Sequence, residues 1–456
     1  MIAGKLKLSG AVFLFVFILV SIMPAAYYGA DEGQGTQSYA AVWPELAEEP
    51  YGKSAILMER DTGAVLYGKN VDERLYPASI TKIMTGLLAV ENLSLSDTVT
   101  FTEEILNSLP WDAAIQGVSP GETMTVKDCL YSLMLRSNND MAVALAYKIA
   151  GNEEEFAKMM TERAKKAGAL NTNFVNATGL HDENHYTTAR DMALITKEAM
   201  SNPTFAEIWG TSSYELPATN MSEGFTIWHR HNMLVSGRAD YYQYATGGKT
   251  GYTDEAGRTL VTSGENNGIE LIAVIMYSTN ESVFEDTKNL LNYGFNNFKK
   301  ITIKDNEERF GQGGDTGFSL INKIYGTDAS LFTIGNGSVI IPKNEELKNI
   351  EYVIDMNIDD TGLGEAAKIT YVHNGYSLGE AILYVSQVYS GDESSVSSLE
   401  RKQEEIEKAG VREIFSINIY YIAGGALAAV IAAFLIRIWI KRLRKRRIGK
   451  RYYIKR

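Results

Sequence analysis

Three short motifs follow one another in this chain and constrain its fold and chemistry more than any other feature. They are Ser79-Ile80-Thr81-Lys82, Ser137-Asn138-Asn139 and Lys249-Thr250-Gly251. A chain of this length contains roughly one or two Ser-x-x-Lys matches by chance, so the first motif alone is weak. All three in this order predict one serine acyl-transfer site that requires neither a histidine nor a metal ion.

The first motif predicts a serine beside a lysine at the start of a helix. Pro77 and Ser79 open an apolar run with helical spacing, so Ser79 is expected near the positive end of a helix dipole. Residues three positions apart share a helix face, which places Lys82 beside the Ser79 hydroxyl.

Serine is a poor nucleophile at neutral pH and needs a base within hydrogen-bonding reach. Lys82 can be that base only as a neutral amine, so its pKa must fall from about 10.4. Burial, the charge of Lys249 and the helix end are expected to lower it. The sequence therefore predicts a depressed Lys82 pKa.

The other two motifs supply groups that a peptide substrate needs. Ser137 can pass a proton between Lys82 and a leaving group, and the Asn139 side chain offers both a donor and an acceptor. Asn138 is expected to shape the turn between them. Lys249 supplies a fixed cation, which favours a substrate that ends in a free carboxylate.

The residues after Lys249 are expected to line the same cleft. Thr250 adds a hydroxyl donor, and Gly251 lets the strand backbone approach the substrate closely. Backbone N–H groups would hold the oxyanion, and the candidates are those of Ser79 and Tyr252.

Each motif also has a structural interpretation. Ser79 alone could be a helix N-cap, the second motif a polar turn and the third a strand entry. His181 and His185, and His229 and His231, make a metal site conceivable, but they lack a metalloprotease pattern, so no metal and no cofactor is predicted. The single cysteine, Cys129, lies in an apolar run and is expected to be buried and inert.

The hydrophobic pattern between the two ends of the chain predicts an α+β fold with an antiparallel sheet flanked by helices. Strands are expected at 54–59, 64–67, 257–262 and 269–277, with a helical stretch at 77–205 inserted between the early and late strands. A helix at 283–298 follows. A second, smaller all-β domain is expected next, with strands at 339–341, 352–358, 367–372 and 381–388.

The two ends predict export and membrane anchoring. Ile414 to Ile436 is an uncharged run of about 34 Å as a helix, long enough to cross a bilayer. Ten basic residues follow, which the positive-inside rule places in the cytoplasm. The predicted order is a signal peptide at 1–30, the acyltransferase domain at 45–300, the β-rich domain at 305–390, a linker and juxtamembrane helix at 391–413, a transmembrane helix at 414–440 and a basic tail at 441–456.

Charge argues against a nucleic-acid partner. Without the ten tail charges, Arg437, Lys5 and Lys7, the formal net charge falls from −12 to about −25. An exported part with that charge repels nucleic acid, and the predicted membrane topology accounts for the basic tail.

These residues resemble the D-alanyl-D-alanine carboxypeptidases among the low-molecular-weight penicillin-binding proteins. The similar stretches are 76–85, containing the first motif, 179–189 (Gly-Leu-His-Asp-Glu-Asn-His-Tyr-Thr-Thr-Ala), and 248–253. The resemblance covers residues 45 to 300 most specifically and implies a β-lactamase/transpeptidase-like fold. The uncharged run followed by basic residues differs from the surface-lying amphipathic helix that often anchors this family.

The resemblance also implies the reaction. Ser79 would form the acyl-enzyme with Lys82 as base, Ser137 and Asn139 would complete the second motif, and Lys249 would bind the substrate carboxylate. The substrate would be the D-Ala-D-Ala end of a peptidoglycan stem peptide, and β-lactams would acylate Ser79.

Three competing functions share the motifs. A class A β-lactamase would carry a Glu-x-x-Leu-Asn segment between Ser137 and Lys249, which the chain lacks. A transpeptidase or endopeptidase differs only in what resolves the acyl-enzyme. A non-turnover penicillin sensor would need a cytoplasmic effector domain larger than the predicted tail.

Overall fold

The computed structural model describes residues 43–307, 309, 332–355 and 365–385. The predicted signal peptide, linker, transmembrane helix and basic tail lie outside the described residues. Within the described part, no helix has both the length and the apolar composition needed to cross a membrane. The predicted domain bounds stay predictions.

The structure combines antiparallel sheets with helices, as the sequence predicts. In chain order the strands are β1 Ser54–Glu59, β2 Val65–Lys69, β3 Thr98–Thr100, β4 Thr123–Thr125, β5 Ser213–Leu216, β6 Phe225–Trp228, β7 Ala245–Thr253, β8 Gly257–Asn266, β9 Ile269–Ser278, β10 Phe298–Thr302, β11 Phe332–Ile334, β12 Ser338–Pro342, β13 Glu351–Asp355, β14 Glu365–His373 and β15 Tyr376–Val385.

The α-helices lie mostly between β2 and β5. They are α1 Lys82–Asn92, α2 Glu103–Asn107, α3 Val126–Tyr131, α4 Asn139–Ala150, α5 Glu153–Lys166, α6 Ala189–Met200, α7 Pro203–Trp209, α8 Val283–Asn297 and α9 Ile303–Asn306.

A five-stranded antiparallel sheet with the order β2-β1-β9-β8-β7 carries the fold. The early and late strands belong to one sheet, as predicted, and β1 lies directly against β9. On one face Leu271 of β9 and Leu57 of β1 pack against Gly294 of α8. On the other face Ile272 and Val274 join the core of the helical layer. The central strands are buried on both faces, which explains their near-continuous apolar sequence.

Asn-Gly pairs form the turns of two β-hairpins. Asn267 and Gly268 between β8 and β9 both have positive φ, as do Asn374 and Gly375 between β14 and β15. This is the backbone of a tight turn whose twist matches the flanking strands. Both turns contain an Asn-Gly pair, the sequence that most favours this backbone.

Several local predictions are wrong. The second strand is Val65–Lys69 rather than 64–67. The stretch 77–205 is not continuously helical, since β3 pairs with β4 inside it. The hairpin of β5 and β6 was also not predicted. Strands of three or four residues carry too little periodicity to be recognised in a sequence.

A second sheet follows α8 and has the order β10-β12-β15-β14-β13, with β11 paired to β15. Its first strand, β10, precedes the predicted domain start at residue 305. Trp43 connects the beginning of the described chain to this sheet and to β2. Its ring stacks on His373 at 4.4 Å, and its Nε1 donates to the Leu66 carbonyl at 3.1 Å.

The loop after α5 packs directly on the turn that carries Ser79. Gly179 has φ +81°, and a methyl group added to it would lie 1.9 Å from the Ala78 carbonyl oxygen. Gly151, which ends α4, has nearly the same φ of +80° but open space around it. Comparing substitutions at the two glycines therefore distinguishes the cost of a left-handed backbone from the cost of a steric clash.

We expect Gly179→Ala to destabilise the protein far more than Gly151→Ala. The left-handed backbone alone costs an alanine about 1–2 kcal/mol. At Gly179 the backbone clash adds to it, for a total of about 3 kcal/mol or more. Denaturant unfolding of the two variants measures the difference, and equal losses would contradict the close packing on the Ser79 turn.

Candidate active site

Ser79 lies in a tight turn that leads into α1. Residues Ala78–Thr81 form a 3-10 turn, and the α-helix begins at Lys82. Ser79 is thus one turn before the α-helix rather than within its first turn. Ala78 has φ +51°, an uncommon conformation for a residue other than glycine. The Thr259 hydroxyl holds this turn by donating to the Pro77 carbonyl at 2.8 Å.

Lys82 is completely buried and lies beside the Ser79 hydroxyl, as its spacing predicts. Its Nζ is 3.0 Å from Ser79 Oγ, 2.7 Å from Asn139 Oδ1 and 2.5 Å from the Thr178 carbonyl oxygen. A neutral amine has two N–H groups and one lone pair. The two N–H groups can donate to the Asn139 and Thr178 oxygens, and the lone pair can accept the proton of the Ser79 hydroxyl.

Burial and charge lower the pKa of Lys82 to about 7. Burial is the larger cause, because the charged form loses its hydration. The nearby charge that lowers it is Arg230 rather than the predicted Lys249, and Asp140 opposes the change. The predicted depression is confirmed, although the source of the charge differs.

The second motif follows a distorted helix end. Ser132–Arg136 forms a π-helical turn after α3, and Ser137 then takes the left-handed conformation with φ +65°. Strained residues and π-turns of this kind concentrate at functional sites. The Asn138 side chain donates to Gln116 Oε1 at 2.6 Å and Ser132 Oγ at 2.9 Å, which supports its predicted role in shaping the turn.

Asn139 and Ser137 contact different lysines. The Asn139 oxygen faces Lys82, while its Nδ2 donates to the Ala114 carbonyl at 3.0 Å. Ser137 Oγ accepts a hydrogen bond from Lys249 Nζ at 2.9 Å. The hydrogen bonds of Lys82 go to Ser79, Asn139 and Thr178, so the predicted relay from Lys82 through Ser137 is not a direct contact.

The third motif lies in the edge strand β7. Lys249 is only 1% exposed, and its Nζ donates to Ser137 Oγ and to the Thr250 carbonyl at 2.8 Å. A methyl group on Gly251 would lie 2.9 Å from Ser79 N, so glycine allows β7 to approach the Ser79 turn. The Tyr252 side chain is half-exposed beyond it.

The burial of Lys249 changes its expected part in binding. Burial, Lys82 and Arg230, in that order, hold its pKa well below the ordinary value. A side chain so enclosed offers little surface to a ligand. The partly exposed Thr250 and the exposed Arg230 are the groups that solvent, and so a ligand, can reach.

Arg230 and Thr178 were not predicted as site residues. Arg230 lowers the pKa of both site lysines, and its backbone N–H donates to the Leu135 carbonyl at 2.9 Å, two residues before Ser137. Thr178 contributes only its carbonyl. A backbone group leaves no signal in a sequence, whereas the charge of Arg230 between two histidines was visible without indicating its location.

The histidines and the cysteine considered in the sequence make other contacts. His185 is buried and its Nε2 lies 2.9 Å from Thr81 Oγ1, beside the Ser79 turn. His181 contacts the Tyr76 ring edge at 4.7 Å. Cys129 is buried, which raises its pKa well above the ordinary value. Among the described residues, no three His, Cys, Asp or Glu side chains form a group that could hold a metal ion.

Comparison with known proteins finds one family. The family model described as D-alanyl-D-alanine carboxypeptidase, peptidase S11, matches residues 43–280. The D-alanyl-D-alanine carboxypeptidase DacF of Bacillus subtilis is 36% identical over 320 residues, which cover 65% of this chain and 76% of that protein.

Two solved structures extend the similarity to the fold. Penicillin-binding protein 5 of Haemophilus influenzae aligns with a TM-score of 0.59 and 25% identity over 75% of this chain and 98% of that chain. The Streptomyces K15 DD-transpeptidase aligns with a TM-score of 0.51 and 30% identity over 55% of this chain and 98% of that chain.

We expect acylation by benzylpenicillin to fall tenfold per pH unit below about 7 and to level off above it, because the neutral form of Lys82 must accept the serine proton. Stopped-flow acylation rates between pH 5 and about 10 test this. A rate that keeps rising to the ordinary lysine pKa would contradict it.

A matched pair of variants tests the assignment to Lys82. Asn139→Asp places a carboxylate at the position 2.7 Å from Lys82 Nζ and should move the midpoint upward by about 1 to 3 pH units. Asn138→Asp adds the same charge to a side chain that contacts Gln116 and Ser132 instead, and should move the midpoint much less.

Proposed function

The chain belongs to the D-alanyl-D-alanine carboxypeptidase family, and from that premise we propose that it removes the terminal D-alanine of peptidoglycan stem peptides through an ester on Ser79. One observation carries the proposal. A fully buried lysine with a pKa of about 7 lies 3.0 Å from the hydroxyl of that serine. This is the arrangement of a nucleophile with its general base.

Acylation begins when the Ser79 hydroxyl attacks the carbonyl between the two D-alanines. The Oγ–C bond forms while the hydroxyl proton moves to the lone pair of Lys82 Nζ. The carbonyl oxygen takes the electron pair of the broken π bond. The C–N bond then breaks, and the leaving amine takes a proton as free D-alanine departs.

Ser137 is placed to assist the leaving amine. Its Oγ accepts a hydrogen bond from Lys249, so its own proton remains available to donate. This donation would stabilise the nitrogen as the C–N bond lengthens. Ser137 therefore links the third motif to the leaving group, whereas Lys82 serves the nucleophile.

The oxyanion would be held by the backbone N–H groups of Ser79 and Tyr252. Gly251 supports this assignment, because a methyl group added to it would lie 2.9 Å from the Ser79 backbone nitrogen, so only glycine lets β7 pass this close to the Ser79 turn. Fixed backbone donors cost no reorganisation when the charge develops. Asn139 remains the candidate to contact the substrate amide next to them.

A cluster of cations would recognise the carboxylate of the terminal D-alanine. Thr250 and Arg230 are exposed enough to contact it, and Lys249 lies behind them. An arriving carboxylate would raise the depressed pKa of Lys249, so that the lysine becomes more positive as substrate binds.

Deacylation needs Lys82 to be neutral again and Ser137 to be protonated again, so the proton that Lys82 took from Ser79 would first pass through solvent to Ser137, which gave its own proton to the leaving amine. The same proton transfers then follow with water as the nucleophile. Water attacks the ester carbonyl as Lys82 accepts its proton, and Ser79 recovers that proton when its Oγ–C bond breaks. The sum is hydrolysis of one peptide bond without a cofactor. A β-lactam would acylate Ser79 through its ring amide, and its leaving group would stay attached in the cleft.

We expect the purified full-length chain in detergent to release D-alanine from a peptide ending in Lys-D-Ala-D-Ala, and Ser79→Ala to abolish the release. Chromatography of the products with and without an amine acceptor measures hydrolysis and transfer together. Transfer without hydrolysis would favour a transpeptidase. Penicillin acylation with no turnover of the peptide would favour a sensor.

We also propose that the chain is exported and held in the cell membrane by residues 414–440, with residues 43–385 outside the cytoplasm. The uncharged run and the basic residues after it support this topology. The substrate supports it too, because peptidoglycan lies outside the membrane.

We expect the full chain to sediment with membranes and to resist high salt and alkaline carbonate. A chain ending at residue 410 should be released, whereas one ending at residue 440 should stay, because the hydrophobic run rather than the basic tail would anchor it. Release of the full chain by salt alone would indicate electrostatic adsorption and contradict a membrane span.

A further inference from the structure

A short segment beside the catalytic cleft alternates buried and exposed side chains. His229 and His231 are buried, at 1% and 0% exposure, while Arg230 between them is exposed. The segment is fixed at both sides, since His229 N donates to the Ser212 carbonyl and Arg230 N to the Leu135 carbonyl. The two buried imidazoles therefore anchor the backbone on either side of Arg230, whose charge acts on Lys82 and Lys249.

His231 lies directly under the strand that carries Lys249. A methyl group added to Gly248 would lie 2.4 Å from His231 Cδ2 and 2.5 Å from its Nε2. The same Nε2 is 2.8 Å from Thr262 Oγ1, and Thr262 is the partner of Gly248 in the pairing of β7 with β8. His231 thus fixes the strand pair immediately before Lys249.

The hydrogen bonds define the protonation of both rings. His231 Nδ1 accepts from Met233 N at 3.3 Å, and His229 Nδ1 accepts from His231 N at 2.9 Å. Each ring therefore carries its proton on Nε2. Burial, and then Lys249, lower the pKa of His231 to about 3, and His229 is shifted in the same direction by burial, His231 and Lys249.

Neutral imidazole suits this position because it can both accept and donate without adding charge beside Lys249. His231 uses both nitrogens. The Nε2 of His229 is buried and makes no hydrogen bond of ordinary geometry in the described part of the chain, although the Gly248 backbone beside the ring acts to raise its pKa. A buried polar atom left unpaired costs stability, which an apolar side chain of similar size would avoid.

We propose that His229 and His231 are positioning residues that hold Arg230 and Lys249 as one carboxylate-recognition unit. Neither ring touches the reacting atoms; each acts through the segment and strand that it supports. This inference rests on the proposed function, because it assigns the cations to the carboxylate of the substrate. It also explains why Gly248 carries no side chain.

The test compares ligands with and without the carboxylate. In the full chain, His231→Leu removes both hydrogen bonds at similar volume, whereas His231→Gln keeps a donor near the position of Nε2. We compare two peptides that are cleaved at the same bond. One ends in D-Ala-D-Ala and releases D-alanine, and the other carries a methyl ester at its C-terminus and releases D-alanine methyl ester. His231→Leu should reduce the preference for the carboxylate about tenfold, or about 1.4 kcal/mol, and His231→Gln should restore most of it.

Two further variants address the same contact. Gly248→Ala presses on the His231 ring and on the Val261 carbonyl oxygen, 2.6 Å from the added methyl, and should lower the same preference; it gives a second test if His231→Leu fails to fold. Combining His231→Leu with Arg230→Gln should give less than the sum of the single losses, because both act on one unit. Equal losses for the acid and the ester, or additive losses, would overturn the proposal.

A second readout separates this inference from the proposed function. Mass spectrometry follows acylation of Ser79 by benzylpenicillin and by its methyl ester, which needs no peptide turnover. If the peptide is not cleaved but the penicillin pair shows the same loss of preference, positioning is supported and the carboxypeptidase assignment fails. If no ligand acylates Ser79 in the unmodified chain, both are overturned.

Discussion

The burial of Lys82 is the constraint on which the rest of the site depends. An ammonium without water is costly, so the chain either compensates for its charge or releases its proton. Here two acceptor oxygens, from Asn139 and Thr178, match the N–H groups of a neutral amine, and Ser79 takes the remaining position. The elements that supply these groups come from three separate parts of the chain. Their packing therefore determines the protonation state that the chemistry needs.

Backbone strain accompanies this arrangement. Ala78, beside the nucleophile, and Ser137, in the second motif, both have positive φ without being glycine. Conformations of this kind persist only where the surroundings enforce them. The surroundings are identifiable: Gly179 and Thr259 hold the Ser79 turn, and the amide of Asn138 holds the turn at Ser137. The scaffold thus spends stability to present two hydroxyl groups at fixed positions.

The sequence predicts those features that are local in the chain. The contact between Ser79 and Lys82 follows from helical spacing, and the Asn-Gly turns follow from the backbone preferences of their residues. The pairing of β1 with β9 was predicted only as membership of one sheet. The Thr178 carbonyl and the position of Arg230 depend on how distant loops pack, which no local pattern encodes. The π-turn before Ser137 was read as ordinary helix because its apolar spacing is the same.

Basic residues surround Ser79, whereas the molecule as a whole has a negative net charge. The body predicted to lie outside the membrane carries about −25, yet Lys82, Lys249 and Arg230 lie within mutual influence around Ser79. Burial, and then the neighbouring positive charges, lower the pKa of both lysines, which favours their neutral forms. In the proposed reaction, a substrate carboxylate would reverse this preference at Lys249, while Lys82 would have to remain neutral to act as base. The contacts of the two lysines are suited to these separate roles. Lys249 donates to Ser137 Oγ and to the Thr250 carbonyl, whereas Lys82 contacts Ser79, Asn139 and the Thr178 carbonyl.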